Sequence, residues 1–220
     1  DIIPSVKKVF VTGGETVLEK QLALTFHEDF ANEGKLLKEK LTAWHGLEVV
    51  PEASVTIVLD YLSDRKKAVN EEYYELCIDG QQIRISAATP HGDFNGTQTL
   101  LGLLKGQESP FRLEAMSIQD YPDLLYRGQM LDIARNYTTV DHLKKLIDIL
   151  SSYKLNVLQF HFSDDEGWRL EIPGLEELTA IGSRRGHTTD EKDWLYPAYD
   201  GGYDPYAATS GNGYYTREEF

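Results

Sequence analysis

The sequence predicts an α+β N-terminal domain followed by the first βα units of a TIM (β/α)8 barrel. Over the first 122 residues, the apolar spacing changes repeatedly between helical and strand-like periods. Beyond that point a strand, a helix and a second strand follow one another through short links, a pattern that requires parallel strands. A complete barrel needs about 250 residues. We therefore expect domains at 1–122 and 123–220, with the barrel incomplete.

The composition argues against a nucleic-acid partner and against membrane insertion. Hydrophobic residues make up 41% of the 220 residues, and no run approaches the roughly 18 apolar residues of a membrane-spanning helix. The 22 Lys and Arg residues against 36 Asp and Glu residues give a formal net charge of −14. Because a field of that sign repels phosphate groups, we expect no nucleic-acid partner and no membrane insertion.

Cysteine and histidine usage argues against a metal centre. Cys77 is the single cysteine, so an internal disulfide and a cysteine-based zinc site are both excluded. It falls in the run Tyr74–Asp79, where we expect a buried strand residue rather than a nucleophile. Five of the six histidines have no partner at metal-ligand spacing. The sequence therefore predicts neither a metal nor a cofactor.

The first predicted helix begins near Phe30. Its apolar residues Phe30, Leu37, Leu41 and Trp44 recur at helical spacing and define one face that we expect to be buried. Gly46 follows directly and is typical of a helix C-cap.

The rest of the N-terminal domain reads as a strand, a hairpin and a helix. Val55–Leu59 is mostly apolar and rich in β-branched residues, which predicts a strand covered on both faces. Tyr73–Asp79 and Gln82–Ala87 alternate in period two around Gly80-Gln81, a link that favours a type II′ hairpin. His91–Lys105 returns to helical spacing.

The second domain begins with the strand–helix–strand unit. Tyr126–Ile133 and Asn156–Phe162 are the predicted strands. Thr138 is predicted to cap the intervening helix, with Asp141 in the first turn where the helix dipole favours a negative charge. Thr216 is predicted to start a further helix.

Charged residues follow both of these strands. Asp132 and Arg135 come after the first strand, and His161, Asp164 and Asp165 come after the second. Functional side chains of parallel βα arrays gather at these carboxyl ends. An arginine beside carboxylates is suited to bind sugar hydroxyls through charge-assisted hydrogen bonds. A salt-bridge network that only closes the strand ends explains the same spacing equally well.

Two long motifs carry a family resemblance. Residues 127–136 (RGQMLDIARN) and 153–169 (YKLNVLQFHFSDDEGWR) resemble the opening of the catalytic barrel of glycoside hydrolase family 20, the β-N-acetylhexosaminidases. Residues 94–101 (FNGTQTLL) resemble the last helix of the small domain that precedes this barrel, and residues 213–216 (GYYT) resemble the lead-in to the second barrel helix. The resemblance spans nearly the whole chain and is weak before about residue 73.

The resemblance implies a role for each matching residue. Arg135 matches the arginine that binds the 3- and 4-hydroxyls of the terminal N-acetylhexosamine, and Asp164 matches a carboxylate of the site's hydrogen-bond network. His161 is similar to a histidine that supports this network. Supporting or structural roles are expected for four further residues that match the motifs, namely Asp132, Asp165, Trp168 and Arg169.

The family reaction is a retaining, substrate-assisted hydrolysis of glycans. It uses an Asp-Glu pair after the fourth barrel strand, so the resemblance places the catalytic residues after residue 220 and implies that this chain alone is inactive. Asp190-Glu191 follows His187 but lacks both glycines of the family's His-x-Gly-Gly-Asp-Glu signature and follows no apolar strand. We expect it to be an exposed loop pair.

Other hypotheses remain open at this point. A non-catalytic carbohydrate-binding or interaction module could use the same architecture. The unpaired strand edges of an incomplete barrel predict self-association. The resemblance also implies a periplasmic or extracellular location and a partner that is an N-acetylhexosamine-containing glycan, with linkage and gluco or galacto preference unspecified.

Overall fold

The computed structural model describes residues 2–165, 167–184 and 212–220, and the chain divides into two compact units. The first unit contains Asp1–Leu125 together with Ser152–Lys154. The second contains Tyr126–Ser151 and Leu155–Phe220. The pair Asp190-Glu191 and the preceding His187 lie outside the described residues.

The first unit is built on a seven-stranded mixed sheet. Its strands are β1 (Lys8–Leu18), β2 (Gln21–Phe26), β3 (Glu48–Val50), β4 (Thr56–Tyr61), β5 (Tyr74–Asp79), β6 (Gln82–Ala87) and β7 (Phe111–Asp120). Their spatial order is β1-β7-β5-β6-β4-β2-β3. The β2–β3, β2–β4 and β4–β6 pairs are parallel, and the remaining pairs are antiparallel. The predicted α+β class is confirmed for this unit.

Helices α1 (Ala31–His45) and α2 (Pro90–Leu104) pack on this sheet. The predicted cap of α1 is confirmed, because Gly46 adopts the left-handed conformation at φ 63° and donates its N–H to the carbonyls of Leu41 and Thr42. Leu37 and Leu41 are buried as expected. Trp44 is not buried, since 49% of its surface is exposed, and the ammonium of Lys40 lies 4.6 Å from its ring centroid.

The predicted hairpin forms between β5 and β6 in the expected register, with Gly80 at φ 55° as a type II′ turn requires. Strand β4 is also confirmed, but only Ile57 and Leu59 are fully buried, so the expectation of two covered faces is wrong. Cys77 is likewise exposed rather than buried. The alternation along β5 places its thiol on the face opposite the buried Leu76 and Ile78.

The first unit also contains a buried charge network. The Nζ atom of Lys154 lies 2.8 Å from Oδ2 of Asp120 and 2.9 Å from the hydroxyl of Tyr74. The backbone N–H of Lys7 donates to the other carboxylate oxygen of Asp120 at 3.1 Å. Both charged side chains are nearly inaccessible to solvent. Each charge is therefore compensated by a specific partner, as burial demands.

The second unit opens with β8 (Gly128–Asp132), α3 (Val140–Ser152) and β9 (Val157–His161). β8 and β9 pair in parallel, which confirms the predicted strand–helix–strand unit. The short strands β10 (Ser163–Asp164) and β11 (Gly167–Trp168) form an antiparallel pair, and α4 (Glu177–Ala180) follows.

The cap of α3 differs from the expectation. Thr139, not Thr138, accepts the N–H of His142 with its hydroxyl and the N–H of Leu143 with its carbonyl. The carbonyl of Thr138 accepts the hydroxyl of Tyr215 instead. Either of the two adjacent threonines could cap a helix as judged from the sequence. The structure distinguishes them, because Thr138 contacts Tyr215.

The last described residues begin a helical turn, as the sequence predicts. The N–H of Thr216 donates to the carboxylate of Glu219 at 2.9 Å, and the N–H of Glu219 donates back to the Thr216 hydroxyl at 3.3 Å. This reciprocal pair is a capping box. Across the part of the chain that the structure describes, no helix combines the length and the apolar character that crossing a bilayer requires.

Candidate functional site

The candidate site lies at the carboxyl ends of β8 and β9. The parallel register places Asp132, the last residue of β8, opposite His161, the last residue of β9. The short hairpin that follows β9 brings Asp164 to the same place. Asp132 and Arg135 from the first predicted group therefore form one cluster with His161 and Asp164 from the second.

Arg135 connects the carboxylates of this cluster. Its backbone N–H donates to Oδ1 of Asp132 at 3.0 Å, and its guanidinium forms an ion pair with Oδ2 of the same side chain. Its Nη2 atom lies 3.5 Å from Oδ2 of Asp164. One guanidinium thus interacts with two carboxylates, each contributed by a different strand end.

His161 contacts the cluster from β9. Its Nε2 atom lies 3.3 Å from Oδ2 of Asp164. The Asp164 side chain is only 10% exposed, whereas that of Arg135 is 46% exposed. The buried carboxylate fixes the neighbouring groups, and the exposed guanidinium can reach a ligand from solvent.

The charge state of Asp132 follows from these contacts. Partial burial opposes its ionisation, but the hydrogen bonds from the backbone and the guanidinium of Arg135 outweigh burial, and the pKa of the carboxyl lies below its ordinary value. Asp132 is therefore ionised at neutral pH. It can accept hydrogen bonds and hold Arg135, but it cannot serve as a proton donor there.

The same cluster has the dimensions of a cation site. One ligand atom each from Asp132, His161 and Asp164 lies within 4.8 Å of the other two. The guanidinium of Arg135 already interacts with both carboxylates and supplies the positive charge that a metal would bring. The arrangement therefore fits a polar, hydroxyl-bearing ligand better than a metal ion.

The other predicted site residues lie around this cluster. Asp165 is exposed in the turn between β10 and β11, and no bond joins it to the cluster among the described residues. The Trp168 backbone N–H donates to the carbonyl of Gly182, and its indole N–H donates to the carbonyl of Leu170. Arg169 is fully buried and binds the carbonyl of Ala134, the residue before Arg135.

Sequence reasoning missed the backbone groups that complete this region. A Cβ atom at Gly167 would lie 2.6 Å from the carbonyl oxygen of Ala134, so the absence of a side chain there permits the close packing. A backbone carbonyl acceptor such as that of Ala134 cannot be recognised from the pattern of side chains in a sequence. The only available signal was the glycine itself, which closes a tight, charged turn.

Two family profiles match the chain. Residues 1–121 match glycosyl hydrolase family 20, domain 2, and residues 124–220 match the catalytic domain of the same family. Among curated relatives, an N,N'-diacetylchitobiase of Vibrio harveyi is 39% identical over 168 residues, which cover 76% of this chain and 18% of the relative. A β-hexosaminidase of Vibrio vulnificus is 38% identical over 148 residues, 67% of this chain and 17% of the relative.

Solved structures give the same result. A GH20 exo-β-N-acetylglucosaminidase from Vibrio harveyi in complex with N-acetylglucosamine superposes with a TM-score of 0.79 and 31% identity, covering 99% of this chain and 33% of that one. A β-N-acetylhexosaminidase from Bacteroides fragilis superposes with a TM-score of 0.77 and 26% identity, covering 99% and 40% of the two chains.

The matched proteins are much longer than this chain, which spans under a fifth of the two curated relatives and a third to two fifths of the two solved structures. The resemblance noted from residues 127–136 and 153–169 is confirmed, since both segments fall within the catalytic-domain match. With both family profiles together covering almost all of its residues, the chain belongs to glycoside hydrolase family 20.

Proposed function

We propose that this chain is the N-terminal part of a β-N-acetylhexosaminidase that removes terminal N-acetyl-β-hexosamine residues from glycans. In this proposal residues 1–122 form the domain before the barrel, and residues 123–220 form the first βα units of a TIM (β/α)8 barrel. The observation that carries the proposal is the bridged cluster of Asp132, Arg135 and Asp164 at the carboxyl ends of two parallel strands.

Arg135 is the group that binds the sugar in this proposal. Its half-exposed guanidinium donates to the 3- and 4-hydroxyls of the terminal N-acetylhexosamine, while Asp132 and Asp164 hold it in place. His161 supports the cluster through Asp164. An arginine that is already paired with carboxylates is pre-organised, so little side-chain entropy is lost when the sugar binds.

The reaction is retaining and substrate-assisted in this proposal. The oxygen of the 2-acetamido group attacks the anomeric carbon, an Asp orients that group, and an adjacent Glu protonates the leaving oxygen. We infer that this Asp-Glu pair follows residue 220. The lowered pKa of Asp132 argues against this carboxyl as the proton donor, because an ionised carboxylate cannot donate the proton.

The test uses the protein extended past Phe220 along its reading frame. We expect it to hydrolyse an aryl N-acetyl-β-glucosaminide and to leave the matching aryl β-glucoside intact, since the latter lacks the acetamido nucleophile. Arg135→Met should lower kcat/KM at least about tenfold, because the charge-assisted hydrogen bonds to the sugar hydroxyls are removed. Arg112→Met, which removes an exposed arginine on β7, is the matched control and should leave the kinetics unchanged.

Two results would contradict this proposal. Equal turnover of the two aryl glycosides would exclude a substrate-assisted reaction. Binding of N-acetylglucosamine without turnover of either substrate would instead support a non-catalytic carbohydrate-binding module.

A further inference from the structure

Arg169 is a fully buried arginine directly behind the candidate site. Its Nε atom donates to the carbonyls of Ile133 at 3.0 Å and Ala134 at 3.1 Å, and its Nη2 atom donates to Ala134 at 2.8 Å. Its Nη1 atom donates to the carbonyls of Ser183 at 2.6 Å and Gly213 at 3.0 Å. Burying a guanidinium is costly, and these bonds from its planar fork offset that cost.

The carbonyl of Ala134 belongs to the peptide bond that precedes Arg135. The nitrogen of the same peptide bond donates its hydrogen to Asp132 at 3.0 Å. Because a peptide unit is planar, holding its oxygen through Arg169 and its N–H through Asp132 fixes the orientation of the whole plane. The plane includes the N–Cα bond of Arg135, so the point from which the Arg135 side chain leaves the backbone is fixed with it.

Neighbouring contacts hold the same segment. The backbone N–H groups of Ile133 and Ala134 both donate to the carbonyl of His161, at 3.2 Å and 2.9 Å. A Cβ atom at Gly167 would lie 2.6 Å from the Ala134 oxygen and 3.1 Å from Nη2 of Arg169. The peptide is closely packed on its Gly167 side, so we expect a change in the bonds made by Arg169 to shift Arg135.

We infer that Arg169 is a positioning residue for Arg135: it fixes the Ala134–Arg135 peptide plane and thereby places the Arg135 guanidinium on the sugar hydroxyls. The inference rests on the proposed function. It differs from a purely structural role, in which Arg169 would only join the backbone at Ser183 and Gly213 to that at Ala134.

The test is Arg169→Lys in the protein extended past Phe220. Lysine keeps the charge but lacks the planar fork, so the Ala134 carbonyl is no longer held in a fixed direction. We expect KM for an aryl N-acetyl-β-glucosaminide to rise about tenfold with little change in kcat, since Arg135 binds the sugar hydroxyls in the ground state and the transition state alike. Arg112→Lys on β7 is the control and should leave both constants unchanged.

A double-mutant cycle separates positioning from structure. In an Arg135→Met background, Arg169→Lys should raise KM no further, because the group that it positions is absent. Gly167→Ala keeps the arginine but crowds both the Ala134 carbonyl and the Arg169 guanidinium, and it should show the same KM rise and the same dependence on Arg135.

Each outcome decides the inference. An unchanged KM, or a rise that persists in the Arg135→Met background, would overturn it. Failure of both Arg169→Lys and Gly167→Ala to fold would do so as well, since it would assign these residues to the maintenance of the fold. Absence of hydrolysis by the unmutated extended protein would contradict the proposed function itself, which keeps the two failures distinct.

Discussion

We expect Asp93 to make the free energy of unfolding of the first unit depend on pH. The residue lies in the first turn of α2 with no exposed surface, and among the described residues neither of its carboxylate oxygens has a hydrogen-bond partner. Burial, and next the charge of Glu33 in the first turn of α1, raise the pKa of Asp93 from its ordinary 3.8 to about 8. The native protein therefore keeps a proton on Asp93 that the unfolded chain releases.

The sign of the effect on stability follows from proton linkage. Between pH 4 and pH 8 the native state binds more protons than the unfolded state, so the free energy of unfolding falls as the pH rises. One group contributes about 1.4 kcal/mol per pH unit in this range. The accumulated loss due to Asp93 is about 2 kcal/mol at pH 5 and about 4 kcal/mol at pH 7.

Asp93→Asn removes this loss, because the amide needs no proton to be neutral. We expect the variant to be more stable than the parent by about 4 kcal/mol at pH 7 and to match it near pH 4. The measurement is urea unfolding followed by far-UV circular dichroism at several pH values, read as the difference between variant and parent. Asp79→Asn, which removes an exposed carboxylate at the end of β5, is the matched control and should leave the stability nearly unchanged.

The reasoning would be refuted by a variant whose advantage over the parent stays constant between pH 4 and pH 8. It would also be refuted by an Asp93→Asn protein that is less stable than the parent at pH 7.

Three further predictions concern packing, buried charge and association. Lys154→Met should destabilise the protein by about 3–5 kcal/mol, because it leaves the Asp120 carboxylate buried without its cation. In the same urea experiment, the double variant that also carries Asp120→Asn should recover part of this loss. Within α2, Gly92→Ala should destabilise the protein by more than about 1 kcal/mol, because the new Cβ would lie 2.3 Å from the backbone oxygen of Tyr73. Gly102→Ala meets open space and should stabilise it by about 0.5–1 kcal/mol. Thermal unfolding measures both effects. Within the described residues, the outer edges of the two-stranded β8–β9 sheet are unpaired, and we expect them to mediate self-association. Light scattering of the 220-residue chain should therefore give a mass that rises with concentration. A constant monomer mass would contradict this.

Local patterns predicted the elements whose determinants lie close together in the sequence. The left-handed Gly46 ends α1 and Gly80 turns the β5–β6 hairpin, because each conformation depends on a single glycine and its neighbours. The prediction for Cys77 was wrong although the alternation along β5 already places it on the face opposite Leu76 and Ile78. The prediction for Trp44 was also wrong, since a surface helix can cover an aromatic ring with a nearby lysine.

Long-range pairing was beyond the sequence patterns. Strand β1 pairs with β7 across about a hundred residues, and the pairing shifts register between Val11 and Glu15, where Gly13 and Gly14 interrupt the alternation. No local period marks such a strand.

The sequence predicted the side chains of the candidate site but not the backbone contacts behind it. The rule for parallel strands brought Asp132 next to His161 because the chemistry lies on side chains at strand ends. The rule could not reveal that Arg169 holds the backbone carbonyl before Arg135, since that contact joins residues 35 apart in the sequence.

The central claim, that this chain carries the sugar-binding residues of a β-N-acetylhexosaminidase while the proton donor follows residue 220, is tested most directly by a paired assay. Release of the aryl group from an aryl N-acetyl-β-glucosaminide is followed with the 220-residue chain and with the protein extended past Phe220. We predict turnover by the extended protein only. Clear turnover by the 220-residue chain, or none by the extended protein, would contradict the account.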